Sequence, residues 1–570
     1  MIDNEKRLEQ LNEELSKHGA RQGCDPGQID HQLHFNSEFI SSKVKTFINK
    51  TNELIDDFET NHDQKIETNI HQWKYNQKIL LGGENLQDDL DHLQESCEKQ
   101  ALLLLRLLNQ VKILIKLVKQ LNIISGQVKV SMEFQERLTN LMKKLISCSF
   151  VIEKQPEQII RSYSALGMSV RLLVGHSLNL QIYRPVVKVS LIKEKQAKKI
   201  ATNNLTSSKL GRHLISCTMD FRLNRLVAEI DGMKVKMMER GDPDRKLALL
   251  VQTEVKVLGE SISVFDISLP IVMIAHHSQE PNAMAAIVWD NHFSQSSRLP
   301  FEVPDEAPIH DLVILLSRMF EAYVGRGLNE DQCMFLARKA LRCNSSVELA
   351  NQTISWSQFA QEPIPERTYT FWEWFYEVLK MCQDYLKNMW NEGLITAFVD
   401  RKHCLNLLQQ RPQGTFMIKV SEFIKPGAIT IVWVGREQRG CRIYSLKTYN
   451  MDDMKFRKLP ELLRNLDYLT HFYPDIPKDQ AFGKYYENQE EPRYDQADDY
   501  HLVDMDYSDI CEPRKEIEDK CDDGDIVQAL SKLSFKNTFD EIDTKSVRKS
   551  ENKINEKPKD YLAHLFDLAF

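Results

Sequence analysis

The sequence predicts a multidomain chain of mixed α and β structure: a bundle of long helices, an antiparallel sandwich or barrel, a second helical stretch, a smaller α+β region and an acidic tail. Three observations predict it. Apolar residues recur at helical spacing from the start to about residue 146, and the period shortens to that of strands beyond Cys148. Helical spacing then returns from about Pro308 to Trp390, before two strand-like runs, Gly414–Ser421 and Ala428–Val434. At 570 residues the chain is too long for one core.

In the first region one helix is expected from about Ser37 to Leu81, with Ile40, Val44, Phe47, Leu54 and Phe58 near a heptad stripe and Gly82 and Gly83 ending it. A second is expected over Asn85–Leu121 and a third over Val130–Ile146. The apolar run Ala101–Ile124 carries Arg106, Lys112, Lys116 and Lys119, the last three on one helical face. That pattern suits a buried or partner-packed helix and argues against a membrane span.

From Cys148 to about Phe293, short β-rich runs alternate with polar loops. Two of these loops are basic: one holds Lys193, Lys195, Lys198, Lys199, Lys209 and Arg212, the other Arg240, Arg245 and Lys246. Loops at the end of a sandwich are placed to reach a ligand, although a solvated rim is the commoner use of such cations. His276 and His277 end a strand with no Cys or carboxylate at ligand spacing, so no metal site is expected.

The aromatic stretch FWEWFYEVLKMCQDYL reads as a helix that buries Phe371, Trp374, Phe375 and Val378. A short helix opened by Arg401 and Lys402 precedes the strand GTFMIKVS. On that strand, alternation sets Phe416, Ile418 and Val420 on one face and Met417 and Lys419 on the other. A mid-strand lysine either snorkels to solvent or meets an anion. Lys419, Arg401 and the hydroxyl of Ser421 make a plausible set for a phosphate dianion.

Between Glu487 and Asp525 there are 16 Asp/Glu against 4 Lys/Arg, which leaves the rest of a chain of net charge −8 mildly basic. Tyr494, Tyr500 and Tyr507 stand among these acids, and an apolar-acidic patch, DYLAHLFDLAF, closes the sequence. The 11 cysteines form no CxxC pair, as in reduced thiols of cytosol or nucleus, and the polar N-terminus lacks a signal core. No P-loop, HExxH, GxSxG or paired-carboxylate pattern stands in a supporting context, so neither catalytic residues nor a cofactor are expected and the chain is not read as an enzyme.

Several stretches in combination, SCSFVIEKQP, SLPIVMIAHHSQEPNAMAAIVWDN, TFWEWF, WNEGLI, GTFMIKVS, AITIVWV and YPDIPKDQAFGKYY, resemble the signal transducers and activators of transcription, the STAT family, over roughly residues 40–503. The resemblance implies an antiparallel coiled-coil helical bundle (1–146), an immunoglobulin-like β-sandwich DNA-binding domain (147–293), a helical linker domain (294–389), an α+β SH2 domain (390–487) and a disordered acidic tail with the phosphotyrosine segment (488–570). It implies Lys419, Arg401 and Ser421 as the phosphotyrosine pocket and Tyr500, in DDYHLV, as the phosphorylation site. His276 takes the position that reads a base edge, and Lys188, Lys198, Lys199 and Arg240 are phosphate-contact candidates.

The function implied is a sequence-specific transcription factor, cytoplasmic and nuclear. Its implied partners are palindromic promoter DNA of TTC…GAA type, a second copy through reciprocal SH2–phosphotyrosine contacts, a tyrosine kinase with a phosphorylated receptor or scaffold, and transcriptional coactivators, with no membrane. The rival is an SH2 phosphotyrosine adaptor with weakened DNA binding. Three departures bear on the choice. The family's pocket arginine is Lys419 here, a point charge in place of a donor fork. The family's separate N-terminal domain has no counterpart, so tetramerisation through it is not expected. The loop around Arg240 has fewer cations than the resembled branch of the family, which predicts weaker, more salt-sensitive DNA binding.

Overall fold

The computed structural model of the chain describes residues 29–79, 86–120, 125–178, 180, 184–203, 211–235, 246–257, 259–295, 298–343, 352–421, 426–437, 440–486 and 503–504. Arg240, Arg245, Lys209, Gly82, Gly83, Tyr494, Tyr500, Tyr507 and the apolar C-terminal patch lie outside the described residues. The chain forms two compact units, Met1–Val303 and Pro304–Phe570.

In the first unit, α1 (Ile29–Asn61), α2 (Thr68–Ile79), α3 (Leu86–Gln120) and α4 (Ser125–Cys148) build the bundle. Phe47, Leu54 and Phe58 of the anticipated stripe are buried, together with Leu104, Leu107, Leu138 and Leu145. Arg106, Lys112, Lys116 and Lys119 are exposed, which leaves a charged outer face on α3. The single long first helix expected from the sequence is instead two, because a π-helical turn, His62–Glu67, interrupts it. Arg137 of α4 fastens α1 through Asp56 at 2.6 Å and Glu59 at 2.7 Å.

The β region is made of β1 (Phe150–Lys154), β2 (Ile159–Arg161), β3 (Ala165–Leu172), β4 (Val186–Lys193), β5 (Arg212–Thr218), β6 (Asp220–Arg222), β7 (Arg225–Lys234), β8 (Lys246–Val257), β9 (Glu260–Ile267) and β10 (Ile271–Ile274). One sheet runs β1-β3-β7-β6; the other runs β2-β10-β8-β4-β5, with β9 also paired to β8. Inward residues of both sheets, among them Val170, Leu172 and Ala228 against Val189 and Val251, share one core with the bundle, so the arrangement is a sandwich. Arg171 is 1% exposed and joins Asp91 of α3 at 2.5 Å to Glu153 of β1 at 3.2 Å.

Two details differ from the sequence reading. Lys193–Lys199 were expected in a loop, but Glu194–Asn203 is a helix, α5. Its Ala197 and Ile200 are buried with Ile192, Ala248 and Leu250, and Glu194 pairs with Lys198 one turn on at 2.6 Å. Lys246 is not a rim cation either. It opens β8 and pairs at 2.9 Å with the fully buried Asp290 of α6 (Glu280–Phe293), which Arg298 also grips. A carboxylate without water needs such partners.

In the second unit, α7 (Ile309–Val324), α8 (Glu330–Leu341), α9 (Phe371–Met381) and α10 (Lys387–Asn391) surround an aromatic core of Phe320, Trp374, Phe375, Trp390 and Phe398. A small ladder of β11 (Glu306–Pro308) and β12 (Thr353–Ser355) lies alongside in sequence. There follow α11 (Arg401–Leu408), β13 (Thr415–Val420), β14 (Ala428–Glu437), β15 (Gly440–Ser445), β16 (Tyr449–Asn450), α12 (Met451–Phe456), α13 (Leu459–Arg464), β17 (His471–Phe472), β18 (Ile476–Pro477) and α14 (Lys478–Phe482). The sheet order is β18-β17-β13-β14-β15-β19, where β19 is the tail segment Val503–Asp504, and β16 also pairs β14. Gly414 enters β13 at φ 86°, where a Cβ would lie 2.3 Å from Thr470 Oγ1, so glycine is required.

Candidate functional site

The anticipated phosphate set comes together around β13. Lys419 is 3% exposed and stands opposite Thr430 of β14, one pair along from Ile418 and Ile431. Period-two alternation puts it on the face of Met417 and Val432, which pack with Cys404, Leu405 and Leu408 of α11. Ser421, two residues on, belongs to the same face and is also buried. Its N–H donates to the Ala428 carbonyl at 2.8 Å, and its carbonyl accepts from the Trp374 indole at 3.3 Å.

The helix that Arg401 opens is brought to this strand by the chain just before it. The N–H groups of Thr396 and Ala397 both donate to the Ile418 carbonyl at 3.0 Å, and Val420 N–H donates to the Ala397 carbonyl at 2.8 Å. Ala397 thus bridges Lys419 in parallel, and four residues later α11 begins with Arg401. Asp400 caps that helix by accepting from His403 N–H at 2.7 Å. The Arg401 Nε is buried and has no hydrogen-bond partner, an orphaned donor beside Lys419's strand. Such a donor is stabilised when an anion arrives.

The sequence reading missed two neighbours of Lys419. Thr430 faces Lys419 across the ladder, and its hydroxyl bonds Ser445 Oγ at 2.9 Å and donates to the Leu446 carbonyl at 2.7 Å. Cys404 is buried, and burial pushes its thiol up to about 11 while the Lys419 charge pulls the other way, which places the two groups in electrostatic reach. Neither has a sequence signal apart from the helix and strand periods that set their faces.

The DNA-contact candidates separate into two places. Register aligns the end of β4 (Lys193 opposite Leu247) with β10 (Val272 opposite Lys246) at the start of β8, and β10 runs on two residues beyond that point to Ile274. His276, exposed just after β10, therefore shares one end of the sheet with α5, on which Lys199 is exposed and Lys198 is paired to Glu194. The neighbouring His277 is engaged by Arg161 of β2 and lies 3.2 Å from Glu280. The Gln279 carboxamide fixes the approach by accepting from Ala275 N–H at 2.7 Å and His276 N–H at 3.3 Å. Lys188 is not at this end. It lies five residues back on β4, roughly 17 Å from Lys193 at the usual rise of a strand, in a cavity of about 320 Å³ shared with Arg184 and Lys256. Arg240 and Tyr500 fall outside the described residues.

Among the described residues no helix is long and apolar enough to cross a membrane.

Comparison with known proteins matches four family models in order along the chain. These are the STAT transcription factor coiled-coil domain over residues 4–142, the STAT DNA-binding domain over 154–274, the STAT linker domain over 296–375 and the SH2 domain over 394–466. A curated relative, the signal transducer and transcription activator of Anopheles gambiae, is 33% identical over 360 residues, 61% of this chain and 50% of the relative. The chain thus spans about half the length of that relative. With coiled-coil, DNA-binding, linker and SH2 domains in succession, the chain belongs to the signal transducer and activator of transcription family.

Proposed function

We propose that the chain is a signal-dependent, sequence-specific DNA-binding transcription factor. Phosphorylation of Tyr500 by a tyrosine kinase creates a phosphate that Lys419, Arg401 and Ser421 of a second copy hold, and the reciprocal dimer binds palindromic DNA. The observation that carries this reading is the orphaned, buried Nε of Arg401 beside the strand of Lys419 and Ser421. Two cations and a hydroxyl contributed by one strand and the start of the neighbouring helix suit a phosphate dianion. The same pocket would dock the chain on a phosphorylated receptor or scaffold, and entry to the nucleus would follow dimerisation. Coactivators would act through the tail.

At the end of the sandwich, His276 would meet a base edge while Lys199 and Lys198 meet phosphates. An adaptor role with weakened DNA binding is the second reading, favoured by the Lys198–Glu194 pair, which takes one candidate phosphate contact out of play. A gel shift with a TTC…GAA palindrome separates the two. Tyr500-phosphorylated protein is expected to retard the duplex at low salt, and His276→Ala to lose sequence preference; no shift for the phosphorylated protein overturns the factor reading.

A further inference from the structure

The π-helical turn between α1 and α2 has no part in either site above. Residues His62–Glu67 wind with hydrogen bonds of the i to i+5 kind, so His62 and Glu67 come onto one face. In an unbroken α-helix the same pair would stand about 140° apart around the axis. Turns of this kind inside α-helices concentrate at functional sites.

His62 is fully buried, neither ring nitrogen makes a hydrogen bond of good geometry, and the Gln100 side chain of α3 lies beside it. Donor atoms of His62, Asp63 and Glu67 all lie within 4.8 Å of one another. Asp63 is exposed and Glu67 half-buried, so the carboxylates open to solvent while the imidazole approaches from inside the bundle. One turn on, His71 Nε2 is 3.7 Å from Glu67 Oε1.

We propose that His62, Asp63 and Glu67 bind a divalent transition-metal ion of the zinc type, with His71 turning in as the fourth ligand. A mixed imidazole and carboxylate set suits zinc, whereas calcium and magnesium take oxygen alone. Ligand bonds of about 2.1 Å put neighbouring donors of a tetrahedral ion about 3.4 Å apart. Side-chain rotations of an ångström or so close the cluster to that spacing. Two carboxylates balance a dication, the buried imidazole nitrogen gains a strong ligand bond, and exposed Asp63 offers the entry path.

The test is a Co²⁺ titration of the full chain stripped with chelator, followed by displacement with Zn²⁺. Wild type is expected to take up one equivalent that shows d–d bands without a thiolate charge-transfer band, which separates this site from the cysteines. The Asp63→Asn, Glu67→Gln double variant, both changes on solvent-facing side chains, is expected to lose that equivalent with its circular dichroism unchanged. His62→Gln provides the second variant and is expected to lose it too. Equal uptake with equal spectra in wild type and the double variant, or cobalt bound through thiolates alone, overturns the proposal.

Discussion

The Trp374 indole N–H donates to the main-chain carbonyl of Ser421 across 3.3 Å, so the buried aromatic helix α9 holds the end of the strand that carries Lys419. Packing and the proposed phosphate site are therefore joined at one hydrogen bond. Trp374→Phe keeps most of the ring contacts but removes the donor. It is expected to cost about 1 kcal/mol in urea unfolding and to weaken binding of a phospho-Tyr500 peptide; unchanged peptide affinity would disconnect the helix from the pocket.

Lys419 gives the sharper test of the pocket. Lys419→Arg restores a donor fork and is expected to tighten binding of the same peptide by fluorescence polarisation. Lys419→Ala removes a charge-assisted contact of about 1.5–3 kcal/mol, which takes binding down by an order of magnitude or more. Equal affinity in wild type and both variants would place Lys419 outside the pocket.

Arg171→Met should destabilise the first unit. The substitution leaves Glu153 without its 3.2 Å partner, while Asp91 retains Arg225. Breaking a buried ion pair from one side costs about 3–5 kcal/mol, and the retained pair puts the expected loss near the lower figure. Denaturant unfolding of wild type against variant measures it, and a loss below about 1 kcal/mol, the ceiling for surface pairs, would show the network to be dispensable.

Lys78 predicts a pH dependence. It is 7% exposed, touches Ser294 and sits near Arg298, Asp290 and Lys246; burial first, and Arg298 next, bring its amine down to about 8 from 10.5. The folded chain therefore binds fewer protons here than the unfolded chain between pH 8 and 10.5. The destabilisation is complete below about pH 8 and is relieved as the pH rises through that window. Lys78→Met is expected to raise the unfolding midpoint at pH 7 by the equivalent of about 2–3 kcal/mol, with the advantage shrinking towards pH 10. An advantage independent of pH would mean that the methionine acts by packing alone.

Much of this architecture can be read from periodicity. The heptad stripe of Phe47, Leu54 and Phe58 and the alternation that sets Lys419 beside Met417 are local patterns, and both appear in the fold. The approach of the start of α11 to the strand of Lys419 needed more, since it depends on Ala397 bridging Lys419. Helix α5 escaped because five lysines across residues 193–199 and the neighbouring loop hide an apolar stripe of only Ala197 and Ile200. The role of Lys246 was hidden because Asp290 lies 44 residues away. The π turn has no sequence signal in residue propensities, which barely distinguish it from the α-helix around it.

Strand β19 gives the sheet edge a second property. Val503 and Asp504, which follow Tyr500 by three and four residues, pair with Ser445 and Tyr444 of β15 in the same chain. An incoming segment from another molecule would exchange one set of main-chain bonds for an equal one, so it gains nothing from the backbone alone. It also competes with a segment of the same chain, whose local concentration does not fall on dilution. Occupancy of that edge is thus a contest between local and bulk concentration, decided by whatever the incoming chain adds beyond its strand.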